Sequence, residues 1–126
     1  MIRTILTLGL PALAVAACSA ASAAPLDPNS DIHCFALASG YGEAARRMNV
    51  PADQQHAAAG LAAWYGGKFD AASAGRSQES IRAEAAALAR TVDSDPQAGL
   101  AAMTACADRA AVDPGFNQFA ARWGRR

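Results

Sequence analysis

The chain has little charge and no excess of either sign. Of its 126 residues, 11 are Lys or Arg and 11 are Asp or Glu, so charged residues make up only 17% and the formal net charge is zero. This balance argues against a nucleic-acid-binding surface or a polybasic membrane surface. The length fits a single domain, and we expect no nucleic-acid partner.

Aromatic side chains are also scarce, at 6% of the chain, whereas 35 residues are alanine. Much of the 52% hydrophobic fraction is therefore methyl-sized, and the core must be thin. No segment alternates β-branched or aromatic residues with period two, so strands are not expected. The composition thus favours an alanine-rich, all-α fold.

The familiar signatures of enzymes are absent. The sequence has no Gly-x-x-x-x-Gly-Lys-Ser/Thr loop, no Gly-x-Ser-x-Gly elbow and no His-Glu-x-x-His motif. Its two histidines, His33 and His56, have no partners at helical metal-ligand spacing, whereas a zinc site needs three or four converging ligands. We therefore expect no catalytic residue, no cofactor and no metal, and we expect both histidines to be exposed.

The first 23 residues predict a secretory signal peptide. Arg3 precedes an apolar stretch from Ile5 to Ala17, and small residues follow it. That stretch is shorter than the roughly 20 residues that cross a membrane, so we expect no transmembrane segment. Ala21-Ser22-Ala23 fits an ordinary cleavage site, which leaves residues 24–30 as a flexible segment before a helical domain over residues 31–126.

A second processing route stays open. Val15-Ala16-Ala17-Cys18 resembles the lipobox of bacterial lipoproteins, and its use would make Cys18 the lipidated first residue. The sequence therefore predicts a periplasmic protein, with a membrane-anchored lipoprotein as the alternative.

Beyond the leader, Cys34 and Cys106 remain as a pair. In an oxidising periplasm such a pair predicts a disulfide. Closing a loop of about 73 residues would stabilise the fold by roughly 4 kcal/mol. The rival interpretation makes Cys34 a nucleophile with His33 or His56 as its base, although adjacent helical residues do not face each other, which disfavours His33.

Capping residues and apolar periodicity predict a small bundle of four to five helices. The first runs over Asp31–Met48 and the second over Pro51–Ala72. Ser77 caps the third helix, while Asp95-Pro96 and Asp113-Pro114 begin the fourth and the fifth. A Cys34–Cys106 disulfide would join the first helix to the fourth, across connections of about two to five residues.

Spacings of three and four residues indicate which helix faces are buried. The predicted stripe of the first helix consists of Cys34, Ala38, Tyr41, Ala45 and Met48. The stripe of the third helix consists of Ile81, Ala85, Leu88 and Val92. That of the fourth helix consists of Leu100, Met103, Ala107 and Ala110, with Cys106 on its flank.

The most distinctive segment is Trp64–Asp70, which combines aromatic residues with Gly66-Gly67, where the second helix kinks or ends early. Two interpretations stay open: the aromatic side chains occupy the core, or they form a partly exposed patch that binds a peptide or another protein. The C-terminal helix adds a tryptophan beside arginines. The candidate partner surface consists of Trp64, Tyr65, Lys68, Phe69 and Trp123.

Three segments carry a resemblance: Asp31–Ala36 around the first cysteine of the pair, Trp64–Asp70, and Ala105-Cys106-Ala107. With them the chain resembles small exported two-cysteine helical proteins of alphaproteobacteria, whose function is unknown. Its plan is similar to that of the periplasmic acid-stress chaperone HdeA and of small periplasmic immunity proteins. The resemblance implies an all-helical periplasmic fold with one disulfide and a binding role. Unlike the chaperone, the chain has no lysine-rich tail, which argues against acid-triggered unfolding.

Three hypotheses of function follow. The main one is an exported, non-catalytic helical module that binds a protein or peptide, chaperone-like or immunity-like. The second is a structural envelope protein anchored by lipid at Cys18. The third is a thiol-dependent redox protein using Cys34, which requires a free thiol in the exported form.

Overall fold

Five α-helices make up the chain between Asp31 and Trp123. The computed structural model describes residues 25–125, and its helices are α1 (Asp31–Arg47), α2 (Ala52–Ala72), α3 (Gln78–Ser94), α4 (Pro96–Ala111) and α5 (Pro114–Trp123). No β-strand occurs in this range. The predicted all-α bundle is confirmed, whereas the predicted leader and its cleavage site lie outside the described residues.

Side-chain caps explain where four of the helices begin. Ser30 and Ser77 each accept, through Oγ, a hydrogen bond from the backbone N–H three residues further along. Asp95 caps α4 by accepting from the backbone N–H of Ala98, and Asp113 caps α5 by accepting from that of Gly115. The proline that follows each aspartate has no N–H to leave unpaired in the first turn. The helix starts predicted at Ser77, Asp95-Pro96 and Asp113-Pro114 are confirmed.

A disulfide between Cys34 and Cys106 joins α1 to α4, with the two Cα atoms 5.6 Å apart. Both cysteines are fully buried, and Leu37, Leu61 and Tyr65 belong to the core cluster around them. Cys106 therefore lies at the centre of the core rather than on its flank. The reason is the bond itself, which orients the face of α4 that carries Cys106 toward α1.

α2 packs along α1 and continues without a break through Gly66-Gly67. A Cβ atom at Gly66 would lie 3.2 Å from the ring of Phe35, so the absent side chain allows the two helices to approach closely. The predicted end of this helix at Ala72 is confirmed, and the helix does not end early at Gly66-Gly67. Glycine lowers helix propensity by about 1 kcal/mol, and the packing between α1 and α2 outweighs that cost.

Three residues predicted to be in the core are exposed instead. Tyr41, Met48 and Leu100 have exposed fractions of 39%, 74% and 52%. Periodicity identifies one face of a helix but does not say how far its neighbours cover that face. On α1 the closely packed side contains Gly42, which lies against Ala58 of α2, and the larger side chains are displaced toward solvent.

Candidate functional site: an apolar groove between α1, α3 and α4

An open groove runs between the C-terminal parts of α1 and α3 and the N-terminal half of α4. It encloses about 490 Å³, a volume typical of small-molecule sites. Leu37 and Leu88 are buried and form its floor. We call this site the α1–α3–α4 groove and define it by the apolar side chains Leu37, Tyr41, Met48, Leu88, Leu100 and Met103.

The rim of the α1–α3–α4 groove is apolar as well. Of the four large apolar side chains that are exposed within residues 25–125, three line this groove: Tyr41, Met48 and Leu100. The fourth, Val112, caps the C-terminal end of α4. Single exposed apolar residues are ordinary, but a cluster around a concave surface marks a binding site.

Gly40 opens the wall that α1 contributes to the groove. A Cβ atom built at Gly40 would meet no heavy atom within 4 Å, although the residue lines the groove. Glycine inside a helix costs about 1 kcal/mol relative to alanine, and here no close approach requires it. A methyl group at this position would therefore fit without a clash.

A second cavity lies on the other side of Tyr41 and Met103. It encloses about 390 Å³ and is lined by residues of α2, α4 and α5 that include Leu61 and Phe116. Tyr41 and Met103 line both spaces, so they form the wall between them. Methionine adapts its shape readily, and Met103 is therefore suited to a wall that adjusts to a ligand.

Two charged side chains, Arg47 and Asp93, lie among the apolar residues of the groove. Arg47 shares the carboxylate of Glu43 with Arg46, whose guanidinium is 2.7 Å from one oxygen, whereas Arg47 is 3.3 Å from the other. The hydrogen bond from Arg46, followed by that from Arg47, lowers the pKa of Glu43. Arg46 is the closer partner, and Arg47 donates two hydrogen bonds of 3.3 Å, from Nε and Nη2, to the other oxygen of the same carboxylate.

The Trp64–Asp70 segment divides between core and surface. Tyr65 is 1% exposed and belongs to the core, so it does not contribute its ring to a partner surface. Trp64 is half-buried, with its ring 5.5 Å from Phe116 and 5.6 Å from Phe119. The Lys68 ammonium lies 4.6 Å from the Trp64 ring and 3.4 Å from the carboxylate of Asp113.

The remaining members of the predicted partner surface also make internal contacts. The ring of Phe69 lies 5.2 Å from that of Phe35 on α1. Trp123 stacks on His56 at 5.4 Å, and its indole N–H donates to the backbone oxygen of His56. The contacts of Trp123 hold α5 against α2, and the contact of Phe69 joins α2 to α1, so these aromatic side chains stabilise the bundle.

His33 is buried, at 8% exposure, so the prediction that it faces solvent is wrong. Its Nδ1 accepts a hydrogen bond from the backbone N–H of Asp27, and its Nε2 lies 2.6 Å from a carboxylate oxygen of Glu84 on α3. The hydrogen bond from Arg76 lowers the pKa of Glu84, and that from His33 adds to the effect. The contacts with Asp27 and Glu84 occupy both ring nitrogens of His33, so neither nitrogen is left to act as a base for Cys34.

A second polar cluster connects α4 to the start of α1. Arg109 pairs with Asp31 at 2.8 Å and lies over the ring of Tyr65 at 5.0 Å. Burial raises the pKa of the Tyr65 hydroxyl, and the charge of Arg109 opposes that rise. The Nε atom of Arg109 is buried without a hydrogen-bond partner in the described part of the chain. Its contacts join α4 to α1 and to α2, so the cluster stabilises the packing of these three helices.

Within residues 25–125 no group of three His, Cys, Asp or Glu side chains is placed to hold a metal ion. In the same part of the chain, no helix combines the length and the apolar character that a membrane span requires. Cys18, the predicted lipidation site, lies outside the described residues.

Helical spacing predicts core positions for Tyr41, Met48 and Leu100, but all three are exposed and line the groove. The available signal was the pair of methionines, Met48 and Met103, since methionine is frequent at adaptable binding surfaces. Spacing alone cannot bring them together, because they lie on different helices.

No protein-family model, curated protein or solved structure matches the chain.

Proposed function

We propose that this chain is an exported, non-catalytic helical module that binds an apolar ligand in the α1–α3–α4 groove. One observation carries the proposal: Tyr41, Met48 and Leu100 leave apolar surface exposed around a single concave site of about 490 Å³. Exposing such surface costs stability and solubility, so its concentration at one groove favours a role in binding.

Export to the periplasm is part of the proposal. It is supported by the signal-peptide pattern of residues 1–23 and, more weakly, by the Cys34–Cys106 disulfide, since disulfides persist in oxidising compartments. Neither cysteine is exposed, so a role as a thiol enzyme has no support from the geometry.

The protein or peptide partner expected from the sequence, chaperone-like or immunity-like, stays a prediction. The rings of Trp64, Phe69 and Trp123 contact other rings within the bundle. The apolar side chains that line the groove face an open space instead. The groove is therefore the better candidate for the contact surface.

The test uses the fluorescent apolar dye anilinonaphthalene sulfonate and a blocked groove. Gly40→Leu places a side chain into the groove, and we expect it to weaken dye binding about tenfold or more, as overpacking a filled site costs about 1–3 kcal/mol. Gly67→Leu is the matched control, because a Cβ atom there also meets nothing within 4 Å and the residue does not line the groove.

Both variants should keep the helical circular dichroism of the wild type. If Gly40→Leu and Gly67→Leu bind the dye as tightly as the wild type does, the groove is not the binding site and the proposal fails.

The alternative, a structural envelope protein anchored by lipid, is favoured by the Val15-Ala16-Ala17-Cys18 sequence alone. A Cys18→Ala variant that remains associated with the membrane would exclude anchoring at this cysteine.

A further inference from the structure

The residues that precede α1 are fastened to the bundle through one nitrogen of a histidine ring. We propose that residues 25–30 form a strap over the start of α1 and that protonation of His33 loosens this strap while the helices stay folded. The residues that hold the strap do not line the α1–α3–α4 groove, so its release is separate from the proposed binding function.

The strap is docked by packing as well as by a hydrogen bond. Its half-buried residues are Leu26, Pro28 and Ser30, which alternate with exposed ones. Leu26 packs against the core cluster, and the carbonyl oxygen of Pro28 lies 3.2 Å from Sγ of Cys34. Because Cys34 has no exposed surface, the docked strap helps to shield the disulfide from solvent.

The hydrogen bond from the strap requires a neutral His33 ring. The backbone N–H of Asp27 donates to Nδ1 at 3.0 Å, so Nδ1 must offer a lone pair. A neutral ring then carries its proton on Nε2 and donates it to the carboxylate of Glu84, 2.6 Å away. A second proton, on Nδ1, would turn an acceptor into a donor that faces the N–H of Asp27. The docked strap therefore disfavours the charged ring.

Glu84 favours the charged ring, in opposition to the strap. The hydrogen bond from Arg76, in the turn before α3, lowers the pKa of Glu84, while burial opposes this effect and His33 adds to it. Glu84 is therefore ionised through about pH 8 to pH 5, the range in which histidine takes up a proton. The strap's own carboxylate, that of Asp27, is exposed and accepts the backbone N–H of Asn29.

The remaining charged and titratable groups near this end of α1 are already partnered. Asp31, two residues before His33, pairs with Arg109 of α4 at 2.8 Å. On α2, burial raises the pKa of the Tyr65 hydroxyl, which is therefore neutral in the same pH range. Glu84 is thus the group that stabilises a protonated His33 after the strap has left.

The direction of the pH effect follows from these contacts. The released state binds a proton on Nδ1 that the docked state disfavours, so release becomes more favourable as the pH falls from about 8 to about 5. Loss of one hydrogen bond corresponds to a change of about threefold to tenfold in the population of the released state. The His33–Glu84 contact persists, so α1 and α3 stay together.

The first experiment measures how accessible the disulfide is at each pH. The chain, as the cell processes it, is reduced by tris(carboxyethyl)phosphine, and the rate is divided by that of oxidised glutathione at the same pH. Because release uncovers Sγ of Cys34, this ratio should rise about threefold to tenfold from pH 8 to pH 5.

Three variants separate titration from simple destabilisation. His33→Gln replaces the ring by an amide that does not titrate, and its ratio should stay level between the two pH values. His56→Gln removes the other, exposed histidine and should keep the wild-type rise. Leu26→Ala weakens the packing of the strap, so it should increase the ratio by the same factor at both pH values.

The second experiment follows the hydrogen bond directly by nuclear magnetic resonance. The amide proton of Asp27 should move upfield together with protonation of the His33 ring nitrogens. Glu84→Gln removes the carboxylate that favours the charged ring, so it should move this transition to lower pH. These spectra decide the question even if His33→Gln does not fold.

Four outcomes would overturn the strap. They are a level ratio in the wild type while the His33 ring takes up its proton, a rise that persists in His33→Gln, a ring that carries its proton on Nδ1 at pH 8, and a loss of helical circular dichroism between pH 8 and pH 5. The last of these would assign the pH effect to unfolding of the whole bundle.

Discussion

The hydroxyl of Tyr65 on α2 donates a hydrogen bond to the backbone oxygen of Cys106 on α4, with 2.6 Å between the two oxygens. Cys106 is in turn bonded to Cys34 on α1, so one point of the core connects three helices. An alanine-rich interior buries little area per residue, and a covalent and a polar contact at its centre compensate for that deficit.

Removal of the Tyr65 hydroxyl should weaken the connection between α2 and α4 and lower the stability of the fold. Tyr65→Phe loses a fully buried hydrogen bond while the ring remains, and we expect the free energy of unfolding to fall by about 1–2 kcal/mol. Tyr41→Phe is the matched control at an exposed tyrosine and should change stability by less than about 0.5 kcal/mol. Urea denaturation measures both, and equal small effects would show that the Tyr65 hydroxyl does not stabilise the fold.

Stability at acid pH should depend on Glu84. Arg76, and then His33, lower the pKa of this carboxyl below its ordinary 4.5, so the unfolded chain takes up its proton at a higher pH than the folded chain does. The stabilisation is therefore present above pH 4.5 and is lost as the pH falls through the folded-state pKa.

The variant Glu84→Gln should lower stability near pH 7 by about 1 kcal/mol and flatten its decline from about pH 5 to pH 3. Glu79→Gln removes the same charge from an exposed position of α3 and should keep the wild-type profile. Thermal unfolding across this pH range is the measurement, and a profile of Glu84→Gln that parallels the wild type would contradict the prediction.

The contact between α2 and α5 should be sensitive to one methyl group. A Cβ atom at Gly60 would lie 2.8 Å from the Trp123 indole, so Gly60→Ala should displace α5 and lower stability despite its gain in helix propensity. Gly67→Ala meets no neighbouring atom and should stabilise the protein by about 0.5–1 kcal/mol. In chemical denaturation we expect the free energy of unfolding to fall for Gly60→Ala and to rise for Gly67→Ala. Iodide should also quench tryptophan fluorescence more strongly in Gly60→Ala than in the wild type.

The state of the cysteines can be read from the intact mass of the protein recovered from its native envelope. Cys34 and Cys106 should resist alkylation until a reductant is added, because both are buried in the disulfide. A free thiol at Cys34 before reduction would revive the redox hypothesis. The same spectrum tests cleavage after Ala23, and an acylated Cys18 would favour the lipid anchor instead.

Much of the architecture was predictable from local signals. Ser77, Asp95-Pro96 and Asp113-Pro114 begin helices because their side chains satisfy amides in the very next turn. The Cys34–Cys106 pairing was also predictable, since these two cysteines leave one combination once Cys18 is assigned to the predicted leader.

The environment of individual side chains was less predictable. His33 was expected in solvent, yet its partners Asp27 and Glu84 come from a preceding turn and from another helix. Tyr41 and Met48 satisfy the spacing of a buried stripe on α1, yet they are exposed. In each case the deciding contact joins segments that no short sequence window contains.

The sequence by itself determined the helices, their starts and the disulfide that joins α1 to α4, because caps, proline and cysteine parity act through nearby atoms or through covalent chemistry. Only the tertiary structure decided that Tyr41, Met48 and Leu100 surround an open groove. Burial is a property of how separate helices meet: the distance at which α3 and α4 pack beside α1 sets whether an apolar face becomes core or binding surface.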